Sequence, residues 1–189
     1  IVNEYSRLEL PLLGVHQVVN AAVAVGLVEG LSFSWITIPV EAVQNGLAKV
    51  QWPGRREVIR DNPKVVLDGA QNKASVRVLV QAVQENFDYN KLILIFGISK
   101  DKDIEGVLRT ITPLVDEIIL TRADNPRSAG PEDLKKILKN KLKFSKMITV
   151  AEQMPRAYET ALEKARDNDL VLVTGSFFVM GEIPGYKVE

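Results

Sequence analysis

The sequence predicts an α/β fold with a Rossmann-like, doubly wound and mostly parallel sheet that has helices on both faces. Five short apolar runs predict the strands, and helical segments separate successive runs. The runs are nearly continuous in apolar residues, which is typical of strands buried on both faces. Residues 1–50 precede this alternation and predict a smaller helical element.

The first elements are predicted to be helical. After a short extended lead at residues 5–10, an apolar helix is expected from about Val15 to Leu31, with glycines near both ends. A second helix is expected from about Val40 to Lys49. Pro39 lies at its start, where the missing N–H of proline costs nothing. Residues 49–56 then predict a linker.

Strands and helices alternate after this linker. The predicted strands are Val65–Leu67, Leu92–Phe96, Glu117–Leu120, Met147–Val150 and Leu170–Val173. The predicted helices run from Ala74 to Glu85, from about Ile104 to Ile111, from Pro131 onward and from Pro155 to Arg166.

Length and charge limit the classes of protein to consider. A chain of 189 residues, of which 46% are hydrophobic and 25% charged, suffices for one main domain with a smaller attachment. Its 24 basic residues balance its 24 acidic ones, so no overall field attracts nucleic acid or an anionic membrane. We therefore expect no nucleic-acid or membrane partner and a specificity that comes from local sites. We also expect small-molecule substrates and a monomer, although the charge balance does not bear on either.

The chain contains no cysteine. This excludes a disulfide scaffold and thiolate metal sites, and it agrees with a cytoplasmic location. No signal peptide is evident, and apolar stretches such as residues 21–25 are too short to cross a bilayer. The chain begins at Ile1 within sequence typical of folded structure, and we expect an N-terminal portion to precede it.

Polar residues follow four of the five predicted strands. In open parallel sheets, ligands bind outside the carboxyl ends of the strands. We therefore expect these four clusters to share one rim. They are Asp68–Asn72, Gly97–Asp103, Thr121–Ser128 and Thr174–Ser176.

Each cluster also has a purely structural interpretation. Asp68, Asp103 and Ser176 are residue types that cap helices, and each of them stands shortly before a helix or a turn. In the fourth cluster, Arg127 and Ser128 precede a helix start and are alternatively surface residues. A serine hydrolase is disfavoured for Ser176. The only histidine, His16, lies far away in the sequence, and no Gly-x-Ser-x-Gly elbow is present.

His16 and Asn20 are four residues apart on the first predicted helix and therefore share a face. A histidine on an apolar helix is either a hydrogen-bonded core residue or a ligand-binding one. A metal site at His16 is not expected, because the chain has no second histidine and no thiolate. No metal ligand is predicted in this chain.

Five motifs follow one another along the chain. They are residues 13–22, Trp52-Pro53-Gly54-Arg55, Asp68-Gly69-Ala70, Gly97 with Asp101-Lys102-Asp103, and Thr174-Gly175-Ser176. In this order they resemble the folylpolyglutamate and dihydrofolate synthases, which are ATP-dependent amide ligases of the Mur type. The first motif resembles the end of the central ATPase domain of these enzymes, and the second resembles their interdomain linker.

The resemblance covers essentially this whole chain but less than half of a complete family member. It implies that residues 1–50 end the central ATP-binding domain and that residues 51–189 form the Mur ligase C-terminal, glutamate-ligase domain. No Gly-x-x-x-x-Gly-Lys-Ser/Thr phosphate loop occurs here. That loop and most Mg²⁺ ligands are expected upstream, so we expect the fragment alone to be inactive.

The resemblance also implies a reaction. ATP phosphorylates a carboxylate of a folate or of dihydropteroate, and the amino group of L-glutamate attacks the acyl phosphate to form an amide. ATP and Mg²⁺ are the implied cofactors. The residues implied to contact ATP are His16, Asn20, Arg55 and Asp68.

The residues implied to act near the incoming glutamate or the reaction centre are Gln71, Ser176, Lys102 and Asp103. One of them departs from the family. Where these enzymes usually have histidine, this chain has Gln71, which keeps a donor and an acceptor but cannot titrate.

Two other functions stay open at this point. The chain is alternatively a non-catalytic Rossmann-like module that binds a nucleotide or a partner, or part of a Mur-type ligase with another amino-acid acceptor. An NAD-dependent oxidoreductase is less favoured, because the first predicted strand of the sheet is not followed by Gly-x-Gly-x-x-Gly.

Overall fold

A computed structural model describes residues 3–12 and 14–187. It contains two compact units, Ile1–Trp52 and Pro53–Glu189. Leu13, which begins the motif at residues 13–22, and the first residue, Ile1, lie outside the described residues.

The first unit contains the two predicted helices. Helix α1 is Val15–Gly30 and helix α2 is Val40–Ala48, and each ends one residue before the predicted end. A 3-10 turn, Leu31–Ser34, continues α1. In α1 the buried residue is polar, Gln17, and most of the apolar side chains are exposed.

The stretch Val15–Ser34 is long and apolar enough, by length and composition alone, to cross a membrane, with a mean hydropathy of 1.3 over its most apolar window. This corrects the expectation that every apolar stretch is too short. That expectation considered uninterrupted apolar runs, whereas here a few polar residues are averaged with many apolar ones. Length and composition are weak evidence for a span, because other kinds of helix pass the same test.

The second unit is built on a six-stranded sheet with the order β1-β2-β6-β3-β4-β5. All neighbouring strands are parallel except β1 and β2, which are antiparallel. The predicted fold class is therefore confirmed. The strands are β1 Arg55–Asp61, β2 Lys64–Asp68, β3 Leu92–Phe96, β4 Glu117–Leu120, β5 Met147–Val150 and β6 Leu170–Thr174.

Strand β1 was not predicted, and the linker expected at residues 49–56 overlaps its start. Five of its seven residues are charged, so it lacks the apolar run that identified the other strands. As the antiparallel edge of the sheet it does not need one, and charged side chains protect an exposed edge from pairing with other chains. A turn with a cis Asn62–Pro63 peptide connects it to β2.

Five helices follow in this unit. For the three helices whose start and end were both predicted, the predicted bounds agree with the structure to within two residues. Helix α7 was not predicted, because five apolar and small residues after a strand give no helical period. The helices are α3 Lys73–Asn86, α4 Ile104–Ile111, α5 Pro131–Lys136, α6 Met154–Lys164 and α7 Phe177–Gly181.

The sheet has one core on each face. Alternate strand residues such as Val66 and Leu94 pack with α3, α4 and α5, while Leu67 and Ile95 pack with α6 and α7. All four of these strand side chains are fully buried. Burial on both faces explains why their strands are continuously apolar.

A buried ion cluster lies at the amino ends of the strands. Glu117, at the start of β4, accepts a hydrogen bond from Lys91 Nζ at 2.9 Å and pairs with Lys164 at the end of α6. Burial raises the pKa of the Glu117 carboxyl, but hydrogen bonds from Lys164 and Lys91 and their charges outweigh burial and lower it.

Because the pKa of Glu117 is lowered in the folded state, its carboxylate stabilises the fold above the ordinary glutamate pKa, and this stability is lost as the pH falls. We expect Glu117→Gln to lower the free energy of unfolding at pH 7 by about 1–3 kcal/mol. Below the ordinary glutamate pKa the difference from the unmodified chain should shrink. Urea unfolding between pH 3 and pH 7 measures both effects.

Glu159→Gln is the control, because Glu159 forms an exposed pair with Arg156 on α6. We expect it to change the free energy of unfolding by less than about 0.5 kcal/mol. Equal pH profiles for Glu117→Gln and the unmodified chain would contradict the stabilising role of the cluster.

Candidate functional site

The candidate site lies at the rim formed by the carboxyl ends of the parallel strands. Asp68 ends β2 and pairs with Thr174 of β6, which in turn pairs with Phe96 of β3. Phe96 pairs with Leu120 of β4, so these strand ends are level. Strand β1 runs the other way, and its first residue, Arg55, pairs with Asp68 at the same rim. The expectation of one shared rim is confirmed.

The Asp68 carboxylate ties two segments of this rim together. Its Oδ1 accepts the backbone N–H of Ala70 at 2.8 Å, and its Oδ2 accepts the backbone N–H of Arg56 at 3.2 Å. The residue is buried. Burial raises the pKa of the Asp68 carboxyl, whereas the Ala70 N–H and the charges of Arg56 and Arg55 lower it. Asp68 thus fixes the start of β1 against the loop after β2.

Asp68 does not cap α3, so that structural interpretation is wrong. The cap is Asn72, whose side chain accepts the backbone N–H of Ser75 at 2.9 Å, while Ser75 Oγ accepts the backbone N–H of Asn72 at 3.2 Å. The backbone N–H of Gln71 also donates to Ser75 Oγ at 3.2 Å. Gln71, half-buried, therefore lies at the rim between β2 and α3, three residues after Asp68.

The second of the two arginines that open β1, Arg56, is the extra residue of a β-bulge. The register shifts between Arg55 and Glu57, and Arg56 adopts a left-handed backbone conformation with φ 51°. Arg56 is buried and Arg55 is half-buried. Burial lowers the pKa of the Arg56 guanidinium, and the nearby Asp68 charge raises it. Arg56 was not predicted as a site residue, because a bulge leaves no periodic pattern in the sequence.

Glu57 fixes the chain just before the bulge. Its Oε2 accepts the backbone N–H of Gly54 at 2.8 Å and the hydroxyl of Tyr186 at 2.7 Å. Burial and this hydrogen bond raise the pKa of the Tyr186 hydroxyl. The linker motif is therefore held by a side chain of β1 and by a residue close to the carboxyl end of the described chain.

The Arg55 guanidinium lies over the ring of Phe177, 4.7 Å from its centroid. The same ring packs on the backbone of Gly69, where an added Cβ would overlap it, and on Gly54, where an added Cβ would lie 3.1 Å from a ring atom. Gly69 N–H also donates to Gly54 O at 2.8 Å. Phe177 was not predicted as a site residue, although it directly follows Thr174-Gly175-Ser176.

Ser176 caps α7, as its structural interpretation predicts. Its Oγ accepts the backbone N–H of Phe178 at 3.2 Å, and the residue is buried. The preceding Gly175 has φ 103° and lies so close to Gly97 that an added Cβ would be 2.5 Å from the Gly97 carbonyl oxygen. Ser176 directly precedes Phe177, whose ring contacts Arg55 and Gly69, and it follows Thr174, which pairs with Asp68.

Lys102 and Asp103 lie in the loop after β3. Asp103 Oδ1 accepts the backbone N–H of Gly106 at 2.9 Å, so Asp103 caps α4. Lys102 pairs with Asp101 at 3.4 Å. Arg127 Nη2 donates to both oxygens of Asp101, at 3.1 and 3.2 Å, and lowers the pKa of that carboxyl. The loop after β3 is thus bound to the loop after β4.

His16 and Asn20 lie on α1, in the first unit. Asn20 is exposed and its Nδ2 donates to Gln17 Oε1 at 2.9 Å, while His16 is half-buried. Their association with the rim residues of the second unit stays a prediction.

A cleft of about 560 Å³ opens at another part of this rim, just after the carboxyl ends of β4 and β5. Arg122 pairs with Glu152 across it at 3.3 Å, and Glu182 accepts the backbone N–H of Asp124 at 2.7 Å. Within residues 3–12 and 14–187, no group of three or more His, Asp or Glu side chains is arranged to hold a metal ion.

Comparisons with known proteins point to one family. The Mur ligase, glutamate ligase domain family matches residues 54–177. A probable bifunctional folylpolyglutamate synthase/dihydropteroate synthase of Haloferax volcanii is 36% identical over 92% of this chain, which covers 20% of that relative.

Solved structures agree. Mycobacterium tuberculosis folylpolyglutamate synthase complexed with ADP has a TM-score of 0.81 and 30% identity over 94% of this chain and 41% of that one. A bifunctional folylpolyglutamate synthase/dihydrofolate synthase from Yersinia pestis, complexed with AMPPNP and a Mn ion, has a TM-score of 0.77 and 28% identity over 94% of this chain and 40% of that one.

Replacing Asp68 tests its role in shaping the rim. We expect Asp68→Ala to lower the free energy of unfolding by about 1–3 kcal/mol, because the N–H groups of Ala70 and Arg56 would lose their buried acceptor. Urea unfolding at pH 7 measures the change. Asp61→Ala, at the exposed far end of β1, is the control and should stay within about 0.5 kcal/mol. Equal losses in the free energy of unfolding for Asp68→Ala and Asp61→Ala would contradict the role of Asp68 in joining β1 to the loop after β2.

Proposed function

Since this chain belongs to the Mur ligase family through its glutamate ligase domain, we propose that it is the C-terminal part of an ATP-dependent amide ligase. The ligase joins L-glutamate to a folate or to dihydropteroate. The observation that carries the proposal is the cation at the rim, where Arg55 is held over Phe177 beside the loop that Asp68 fixes. An ATP-dependent ligase needs such a fixed positive charge for phosphate.

The chain spans 20% of the archaeal relative and 40–41% of the two solved structures that it matches. We therefore assign residues 1–50 to the end of a central ATP-binding domain and residues 51–189 to the glutamate-ligase domain. Division of the structure after Trp52 supports this boundary. The exposed apolar side chains of α1, such as Val15 and Leu27, support it too, because the rest of an ATP-binding domain would cover them.

The proposed reaction has two steps. A carboxylate oxygen of the folate or dihydropteroate attacks the γ-phosphate of ATP, which gives an acyl phosphate and ADP. The amino group of glutamate then attacks the acyl carbon, phosphate leaves, and an amide forms with loss of a proton. The acyl phosphate must be protected from water, and a glutamate-ligase domain that covers the ATPase site would provide this protection.

Arg55 is the residue that we assign to phosphate. Its guanidinium offers a planar set of N–H donors that matches phosphate oxygens. His16 and Asn20 would contact ATP from the first unit. Asp68 acts on the nucleotide indirectly or at the ribose, because its carboxylate is buried, already accepts two backbone N–H groups and would repel phosphate.

Gln71 and Ser176 are assigned to the glutamate side. The Ser176 hydroxyl accepts the Phe178 N–H and retains its own proton, which it can donate to a carboxylate. Gln71 can position glutamate through its amide but cannot change charge. Lys102 and Asp103 border the reaction centre, where Lys102 adds a second positive charge.

The ADP, AMPPNP and Mn in the matched structures support ATP and a divalent cation as cofactors. We assign Mg²⁺ as the cation, held mainly by residues upstream, because the described residues offer no cluster of three suitable ligands. A divalent cation neutralises phosphate charge during transfer. We further propose a cytoplasmic monomer without nucleic-acid or membrane partners.

A ligase with a different amino-acid acceptor is the second candidate. The observation that favours it is Gln71, which replaces the histidine usual in the resembling enzymes. A change from a titratable to a neutral side chain beside the amino-acid acceptor alters which charged groups on that amino acid the site prefers to bind.

The full-length protein should release ADP from ATP in a glutamate-dependent way when it is given Mg²⁺ and either dihydropteroate or a reduced folate. Coupled measurement of ADP, with mass spectrometry of the pterin product, tests this. Omission of glutamate is the control. A folded protein that binds ATP but extends neither pterin, while another amino acid supports turnover, would favour the second candidate.

Arg55→Ala in the full-length protein should lower kcat/KM for ATP by about 10- to 100-fold, the loss expected for a charge-assisted hydrogen bond to phosphate. Steady-state kinetics with varied ATP measures it. Arg60→Ala is the matched control, since Arg60 is exposed at the far end of the same strand. Unchanged kinetics for Arg55→Ala would remove Arg55 from the site.

A further inference from the structure

We propose that Phe177 is a positioning residue that holds the Arg55 guanidinium in the conformation in which it binds phosphate. The inference deepens the proposed function and rests on it for the identity of the ligand. The sequence motifs do not include Phe177, and its role follows from three contacts around its ring.

The first contact is with Arg55 itself. The guanidinium carbon lies 4.7 Å from the ring centroid, within the range of a cation–π interaction. A guanidinium over an aromatic face keeps the N–H groups at its edge available for hydrogen bonds, because the ring occupies only its flat face. Arg55 is half-buried, so part of the residue faces solvent.

The other two contacts fix the ring in place. It packs directly on Gly69, where any Cβ would overlap it, and on Gly54. Asp68 fixes the loop that carries Gly69, and Glu57 accepts the N–H of Gly54. The ring therefore packs between two restrained backbone segments. Only a glycine at position 69 leaves room for the ring in this position.

The helix that begins at Phe177 is restrained as well. Ser176 caps it, and Val179 and Met180 are buried in the core on that face of the sheet. Phe177 itself is 41% exposed, so its outer part does not contribute to the core. Because the backbone of Phe177 is fixed and its exposed ring contacts the Arg55 guanidinium, Phe177 is suited to orienting Arg55.

Ordering a flexible arginine before the ligand arrives reduces the entropy that binding must overcome. Phe177→Leu keeps an apolar side chain of similar size but removes the aromatic face. In the full-length protein we expect this change to lower kcat/KM for ATP by about 2- to 30-fold, the range of cation–π interactions expressed as rate ratios. The effect should lie mainly in KM for ATP.

A double-mutant cycle separates positioning from general stability. If Phe177 acts through Arg55, Phe177→Leu should have little further effect on kcat/KM for ATP once Arg55 is alanine. Gly69→Ala gives a second route, because its Cβ would displace the ring while both side chains stay present. It should reproduce the loss, and Arg55→Ala should again mask it.

Phe87→Leu is the matched control. Phe87 also lies near a cation, 6.0 Å from Lys64 Nζ, but at the opposite end of β2 from the rim. We expect this change to leave the kinetic constants for ATP unchanged. Equal losses in kcat/KM for Phe177→Leu and Phe87→Leu would overturn the positioning role, as would full additivity of Phe177→Leu with Arg55→Ala.

NMR of the 189-residue chain tests the contact without any assumption about activity. Ring currents from Phe177 should shift the Arg55 side-chain protons upfield, and Phe177→Leu should abolish this shift. Absence of the shift in the unmodified chain would overturn the inference while the ligase assay could still succeed. If the full-length protein binds ATP but has no ligase activity, the proposed function fails. The double-mutant cycle is then measured as the Kd for ATP. An unchanged Kd in Phe177→Leu would overturn the positioning role in that case.

Discussion

The hydrogen bonds that Asp68 accepts from Ala70 and Arg56 are the constraint on which the rim depends. A buried carboxylate is costly unless it is well hydrogen-bonded. Here burial raises the pKa of the Asp68 carboxyl on balance, and two backbone N–H groups and the neighbouring arginine charges offset part of that rise. Arg55 comes directly before one of these N–H groups, and Gln71 follows directly after the other. The buried Asp68 side chain therefore sets the spacing between Arg55 and the loop after β2 that contains Gln71.

The parallel part of the fold could be predicted from the sequence because its physical cause is local. Strands such as β3 and β6 are buried on both faces, so nearly all their residues are apolar, and this leaves a clear pattern. Strand β1 could not be predicted in the same way. It lies at the edge, and its pairing is determined by β2, a partner elsewhere in the chain. Helix α7 is too short to show a period.

The candidate site was predictable as a region but not as a set of contacts. The rule that ligands bind at the carboxyl ends of strands led to the prediction that the polar clusters share one rim, and the strand register places them there. Individual roles depended on geometry. Asp103 and Ser176 cap helices, which their residue types suggest, whereas Asp68 does not, because Asn72 occupies the cap position. Phe177 and Arg56 could not be identified from the sequence. The packing of the Phe177 ring against a guanidinium and the bulge at Arg56 arise only when distant segments pair in the folded chain.

The direction of β1 has a further consequence. As the strand starts at the rim, Arg55 is separated from Trp52, the last residue of the first unit, by only Pro53 and Gly54. Three residues of fully extended chain span at most about 11 Å. The end of this short connection is fixed by Glu57, which accepts the N–H of Gly54. However the two units are arranged, the connection alone therefore keeps Arg55 within about 11 Å of Trp52.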